Sequence, residues 1–221
     1  MLPLDVRSDS SVAACVSTVL DLAGSVDVLV NNAGYVLEGP LEEAGVAGLQ
    51  AVFDTNFFGT VRMVNAVLPT MRASRRGRIV NVGSVAGLMP LPFYGAYGAS
   101  KHALEGYTES LKHELLPLGI DVSLIEPAFY RTTSALHKQR TSGAIADYDP
   151  HRQRMLDALA SQEAMAPLPD PVVDLLVRLV TNPRRNRLRH VLGKYTIDYW
   201  LRGICPEWIW DFGMRRYWRL D

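Results

Sequence analysis

The sequence is poor in cysteine, in net charge and in long apolar runs. Two cysteines, Cys15 and Cys205, stand far apart in 221 residues. Neither belongs to a metal-ligand spacing, so free thiols in a reducing compartment are favoured over a disulfide. The 23 basic residues balance 23 acidic ones, which argues against a general nucleic-acid binder. No run approaches the ~18 apolar residues that a membrane span needs. Met1-Leu2-Pro3-Leu4-Asp5-Val6-Arg7 lacks the basic segment and apolar stretch of a signal peptide. Repeats and low-complexity tracts are missing, and no grouping of His, Cys, Asp and Glu suits a metal ion. What remains is the expectation of a cytoplasmic globular protein. Residues 1–221 suit one domain with a substantial core, since single domains run to roughly 250 residues.

What is present is an alternation of helix and strand. Ser10 and Ser11 can cap a helix that carries Val12, Cys15, Val16, Val19 and Leu20 at helical spacing and ends at Gly24. Residues 26–30 then read as a mostly apolar strand, suited to a parallel sheet covered on both faces. Asn31-Asn32-Ala33-Gly34 turns at its carboxyl end. A helical region follows over 41–73, interrupted near Thr55-Asn56, and then a strand over 78–82. The next helix runs from about 96 to 116, where Pro117 and Gly119 stop it, and 120–125 is again a strand. Residues 128–169, polar and loosely periodic, read as a lid over a substrate. Asp170-Pro171 starts another helix, with Asp170 as cap, and 189–192 is a last strand. Alternating strand and helix predicts an α/β fold with a parallel sheet. Ligands of such sheets sit outside the carboxyl ends of the strands. Asn31–Gly34, Ser84 and Pro127 all follow strands directly, so order alone places them on one edge with Tyr97.

Tyr97 and Lys101 are four residues apart, which puts them on one helix face. A free tyrosine titrates near pH ~10, and a fixed positive neighbour favours the phenolate and lowers that value. Such a pair can exchange a proton with a carbonyl or an alcohol near neutral pH. Tyr-x-x-x-Lys also occurs on ordinary surface helices. Ser84, thirteen positions upstream, and Asn56, earlier still, single this one out. Tyr94 suits a pocket wall instead, with Leu88, Met89, Leu91 and Phe93. His102 and His113 read as ordinary helix-face residues.

In this order and spacing, Asn31-Asn32-Ala33-Gly34, Asn56, Ser84 and Tyr97-x-x-x-Lys101 resemble the short-chain dehydrogenase/reductase family over nearly the whole chain. The stretch Gly83-Ser84-Val85-Ala86-Gly87-Leu88-Met89-Pro90-Leu91-Pro92, with Ala103-Leu104-Glu105-Gly106, is similar to its 17β-hydroxysteroid and retinol dehydrogenase branch. The resemblance implies a Rossmann-like doubly wound parallel sheet and an NAD or NADP cofactor, the choice between them left open. It implies that Tyr97 exchanges the proton, while Lys101 holds the phenolate and the nicotinamide ribose. Ser84 would donate to the substrate oxygen, and Asn56 would break its helix and anchor a water in a proton relay. Asp5 and Val6 fall at the adenine side of the cofactor. Asn31, Ala33 and Gly34 match the turn near the adenosine ribose, and Pro127 and Thr132 match the segment lining the nicotinamide. Ala128 stands where that segment usually has glycine. A homodimer or tetramer built on 41–73 and 96–116 is implied as well.

One departure is large. Members of that family begin with a strand, a glycine-rich turn, a helix and a second strand, roughly 50 residues, before the counterpart of Asp5. No such segment precedes Asp5 here. The expectation is an N-terminally truncated sheet without its first two strands, without the pyrophosphate-binding helix terminus, and with an exposed apolar edge at 26–30. Two readings stand: an enzyme whose start lies upstream of Met1, and a non-enzymatic remnant that keeps the fold as a binding protein. Residues 184–221 are rich in Arg and hold Trp200, Trp208, Trp210 and Trp218, all the tryptophans of the chain. They read as a flap over the substrate or a subunit contact, or else as a peripheral membrane contact. The functional expectation is an NAD(P)-dependent oxidoreductase that interconverts a secondary alcohol and a ketone on a hydrophobic steroid-, retinoid- or lipid-like substrate.

Overall fold

The computed structural model describes residues 1–89, 91–132, 137–143, 145–182, 186–194 and 196–218. Helix α1 (Asp9–Ala23) is capped by Ser8 rather than by Ser10 or Ser11: the Ser8 hydroxyl accepts from the Ser11 amide at 3.3 Å. Strand β1 (Val28–Asn31) starts two residues later than the apolar run, because Ser25-Val26-Asp27 serves as its approach. A short β2 (Leu37–Glu38) follows. The helical region beyond it is two helices, α2 (Leu41–Phe53) and α3 (Gly59–Ser74), joined by a π-helical turn over Asp54–Phe58. The interruption lies where the sequence placed it, and such wide turns are frequent at functional sites. Asn56, inside this turn, is fully buried.

Strand β3 (Gly77–Val82), helix α4 (Gly95–Leu115) and strand β4 (Ile120–Pro127) come next. Then follow β5 (Gln139–Arg140), α5 (Asp149–Ala164), α6 (Asp170–Thr181) and β6 (Arg189–Leu192). Residues 128–169, read as a polar lid, thus contain a 16-residue helix. Met155 and Leu159 are buried on α5 amid polar neighbours, too sparse a stripe to show as periodicity. In α6, Asp170 and Pro171 occupy the first two helical positions and Pro169 the cap. The chain closes with α7 (Thr196–Arg202) and α8 (Glu207–Tyr217).

β1, β3, β4 and β6 form a parallel sheet in the order β1-β3-β4-β6. β4 is buried along seven of its eight residues and β3 at Ile79, Val80 and Asn81, as strands covered on both faces are. On one face, Val12 and Val16 of α1, Val64, Val67 and Met71 of α3, and Leu111 and Leu115 of α4 pack against Leu29, Ile79, Ile120 and Val122. On the other, Leu175 and Leu179 of α6 pack against Val80 and Ile125. Helices on both faces make the sheet doubly wound. Among the described residues β1 is an edge strand, with Val28 and Val30 exposed. No described helix is long and apolar enough to cross a membrane.

Two glycines in the left-handed region make the backbone argument testable. Gly24 ends α1 at φ 73° with nothing within 4 Å of an added Cβ. Gly119 sits at φ 78°, where a Cβ would lie 2.2 Å from the Arg75 carbonyl oxygen. Gly24→Ala should cost about 1 kcal/mol of stability, the left-handed penalty alone. Gly119→Ala should cost about 1–3 kcal/mol more, because backbone must move. Urea unfolding of the two variants checks this; equal losses would contradict it.

Candidate active site

The parallel strands end on one side, and the segments after β1, β3 and β4 meet there over the start of α4. Between them lies a cleft of about 410 Å³ whose walls include Ala33, Gly34, Ser84, Tyr97, Lys101, Pro127 and Thr132. An adjoining cavity of about 170 Å³ shares Val36, Ser84, Tyr97 and Thr132 and adds Leu91, Tyr94 and Phe129. Ser84 and Tyr97 stand at the junction of the two.

Asn56 is what fixes the loop after β1 to α4. Its Oδ1 accepts from the Tyr35 amide at 3.0 Å and its Nδ2 donates to the Tyr35 carbonyl at 3.0 Å. The same Nδ2 donates to the Ser100 hydroxyl at 3.1 Å, and that hydroxyl donates to the Tyr97 carbonyl at 2.7 Å. Gly34 is needed at this crossing: a Cβ there would lie 3.1 Å from Asn56 Oδ1 and 3.7 Å from Lys101 Nζ. Below, Asn31 donates to Asn81 at 2.9 Å, and Asn81 to Thr108 at 2.9 Å, which ties β1 through β3 to α4. Ser84, two residues beyond β3, is in extended conformation, and its hydroxyl accepts from the Ala86 amide at 3.2 Å.

Lys101 donates to the Val82 carbonyl at 2.8 Å, and its ammonium lies 5.8 Å from the centre of the Tyr97 ring. Burial lowers its pKa to about 8, against the pull of Glu105. Burial also raises the Tyr97 phenol above the ordinary tyrosine value, against the opposing hydrogen bond with Ser84. This reverses the sign expected from the sequence. Spacing showed the cation beside the phenol but not the desolvation of both, and desolvation is the larger effect.

The structure thus brings together Ala33, Gly34, Ser84, Tyr97, Lys101, Pro127 and Thr132. Asn56 stands behind them as a clamp. Asn31 is turned into the Asn81 hydrogen bond and does not line the cleft. Asp5 and Val6 do not line it either. Asp5 pairs with Arg7 at 2.8 Å on an exposed turn, where that guanidinium holds its carboxyl at about 2. Val6 packs on Gly59, and its carbonyl accepts from Arg62 at 3.3 Å. Of the expected pocket residues, Leu91 and Tyr94 line the smaller cavity, while Phe93 stacks edge-on against Tyr148.

A polar cluster at the far end of the smaller cavity had no signature in the sequence. The Tyr94 hydroxyl donates to Glu38 at 2.8 Å, and Lys138 donates to Glu38 at 3.0 Å and pairs with Glu163. Burial and the two carboxylates keep Tyr94 protonated. These partners come from four separate parts of the chain, so only folding brings them together.

The family model of the short chain dehydrogenases matches residues 1–143. Retinol dehydrogenase 8 of Bos taurus is 43% identical over 212 residues, which covers 92% of this chain and 67% of that protein. 17-beta-hydroxysteroid dehydrogenase type 1 of Homo sapiens is 54% identical over 125 residues, 57% of this chain and 38% of that protein. A solved metagenomic short-chain oxidoreductase in complex with NADP superimposes with a TM-score of 0.65 at 28% identity, covering 86% of this chain and 71% of that one. The chain belongs to the short-chain dehydrogenase family. It spans about two thirds of the length of the bovine relative and less of the human one.

The Lys101 environment makes a stability prediction. Its folded pKa, about 8, lies below the ordinary 10.5. Between those values the unfolded chain binds more protons, so this group's effect on stability improves as pH rises. The stability of the wild type minus that of Lys101→Met should therefore grow by about 3 kcal/mol at most between about pH 8 and pH 10. Urea unfolding across that range measures it, and a flat difference would count against the buried ammonium.

Proposed function

We propose that this chain carries the proton-transfer half of an NAD(P)-dependent oxidoreductase. It interconverts an alcohol and its carbonyl form, a secondary alcohol and a ketone in the case of a steroid-like substrate. The observation that carries this reading is the placement of Ser84 and Tyr97 between two cavities, with Lys101 buried directly behind. The larger cleft fits the nicotinamide end of the cofactor. Gly34 leaves it room that a Cβ would fill, and Lys101 and Thr132 offer polar contacts to the ribose and carboxamide. When bound, the nicotinamide supplies or accepts the hydride.

The chain's own residues do the rest. In reduction the Tyr97 hydroxyl gives its proton to the substrate oxygen, and burial, which holds that proton on the phenol at neutral pH, suits it to be a donor. Ser84 donates to the same oxygen as charge grows there. The Lys101 ammonium stabilises the phenolate left behind, while its bond to Val82 keeps it in place. Asn56 fixes the loop and the helix that set these distances.

A hydrophobic substrate is supported by the walls. The smaller cavity shares Val85, Leu91 and Phe129 with a further apolar space of about 260 Å³ lined by Met89, Trp210, Met214 and Trp218. The C-terminal helices therefore act as a flap that encloses the apolar end of a retinoid-, steroid- or lipid-like molecule, in keeping with the names of the two relatives. Exposed Trp200, Ile204, Trp208 and Phe212, with exposed Arg216, support peripheral contact with a membrane by a cytoplasmic protein. Exposed Leu41, Val46 and Phe58 on α2 and the π-helical turn support a dimer or tetramer. A second reading is a non-enzymatic remnant that keeps the fold for binding, with the exposed edge of β1 as a template for pairing with another chain. Saturable binding of NADPH in a fluorescence titration would reject the remnant.

Tyr97→Phe removes the proton donor and little else. It should lower kcat/KM about 10²–10⁴-fold while the Kd for NADPH changes little. Stopped-flow or steady-state assays on retinoid and steroid carbonyls test this; wild-type turnover by the variant would refute the assignment.

A further inference from the structure

Glu105 lies one helical turn beyond Lys101, just as Lys101 lies one turn beyond Tyr97, so the three share a face of α4. It is 2% exposed. Its Oε1 sits beneath the loop that carries Ser84: a Cβ at Gly83 or Gly87 would lie 3.3 or 3.0 Å from it. Among the described residues no hydrogen-bond donor reaches that atom. Its Oε2 accepts from Arg189 of β6, and the same guanidinium donates to fully buried Glu126 of β4 at 3.2 Å and reaches Glu109 at 3.5 Å. The imidazole of His102, also nearby, is exposed, with Nδ1 2.7 Å from the Gly87 carbonyl oxygen.

One arginine thus faces two buried carboxyls, and Lys101 is the next cation along the same face. Buried charges persist only when paired. Burial pushes the Glu105 carboxyl up in spite of its hydrogen bonds with Arg189 and with Glu126, while Glu105 in turn pulls Lys101 up against its own burial. Replacing one of these groups must therefore be felt by the others.

We propose that Glu105 is a positioning residue whose carboxylate, one turn from Lys101 on the same buried face, keeps Lys101 charged behind Tyr97, with Glu126 and Arg189 setting how fully Glu105 is ionised. The inference rests on the reading of Tyr97 and Lys101 as the proton-transfer pair. It predicts a signed pattern. Glu105→Gln removes the countercharge and should lower the proton affinity of Lys101 about tenfold, one pH unit. Arg189→Gln leaves Glu105 more often protonated and should lower it too. Glu126→Gln leaves Arg189 to Glu105 alone and should raise it.

The chain has four lysines, Lys101, Lys112, Lys138 and Lys194. Titration of protein labelled with ¹³C at the lysine ε-carbons, with Lys101→Met to assign its signal, therefore reads Lys101 directly and without turnover. An unchanged Lys101 titration in folded Glu105→Gln overturns the proposal. Should that variant not fold, the other two decide: opposite shifts support it, and shifts of one sign or none overturn it. An active Tyr97→Phe enzyme would sink the functional reading without altering these titrations, so the two failures are distinguishable.

Discussion

An ammonium ion held out of water behind a phenol is the constraint on which the site depends. Lys101 is nearly inaccessible, and burial alone would strip its proton at a modest pH. Its place is kept by two separate elements: the Val82 carbonyl at the end of β3, which accepts its hydrogen bond, and the missing side chain at Gly34 after β1, which leaves it room. The sheet register enters the chemistry here. Val82 is fixed opposite Ile125, and the Gly83 amide donates to the Ile125 carbonyl at 2.8 Å, so β4 sets where β3 releases Ser84. A slip of one residue would turn Val82 and Ser84 to the wrong faces.

The same logic explains why the polar groups of the interior are chained rather than scattered. Asn31, Asn81 and Thr108 link two strands to α4, and Asn56, Ser100 and the Tyr97 carbonyl link the π-helical turn to its first turn. Each group is satisfied by the next, which is what a buried polar network needs if it is to rigidify a site rather than weaken it. The apolar side of the site is built differently, from the 128–169 segment and the C-terminal helices. Trp218 is buried there while Trp200 and Trp208 face outward.

Much of this was legible in the sequence, and the gaps have physical causes. Tyr97, Lys101 and Ser84 could be placed together because helix periodicity and strand order are local signals. The break at Asn56 was visible for the same reason. Helix α5 was not, since only Met155 and Leu159 anchor it amid charged residues. The cluster of Glu38, Tyr94, Lys138 and Glu163 was hidden because its members are distant in the chain. The direction of the Tyr97 shift was misjudged because spacing reports neighbours but not depth. Asp5, Val6 and Asn31, expected on the adenosine side, do not line this cleft, and Asn31 is turned into its bond with Asn81.

The central claim is that this constellation moves a proton in step with a hydride. The most direct measurement uses NADPH deuterated at the transferring position of the nicotinamide, with a retinoid or steroid carbonyl compound as acceptor and mass spectrometry of the alcohol formed. The account predicts one deuterium on the carbinol carbon with the wild-type protein, and formation of that alcohol about 10²–10⁴-fold slower with Tyr97→Phe. Equal rates of formation by both proteins would contradict it.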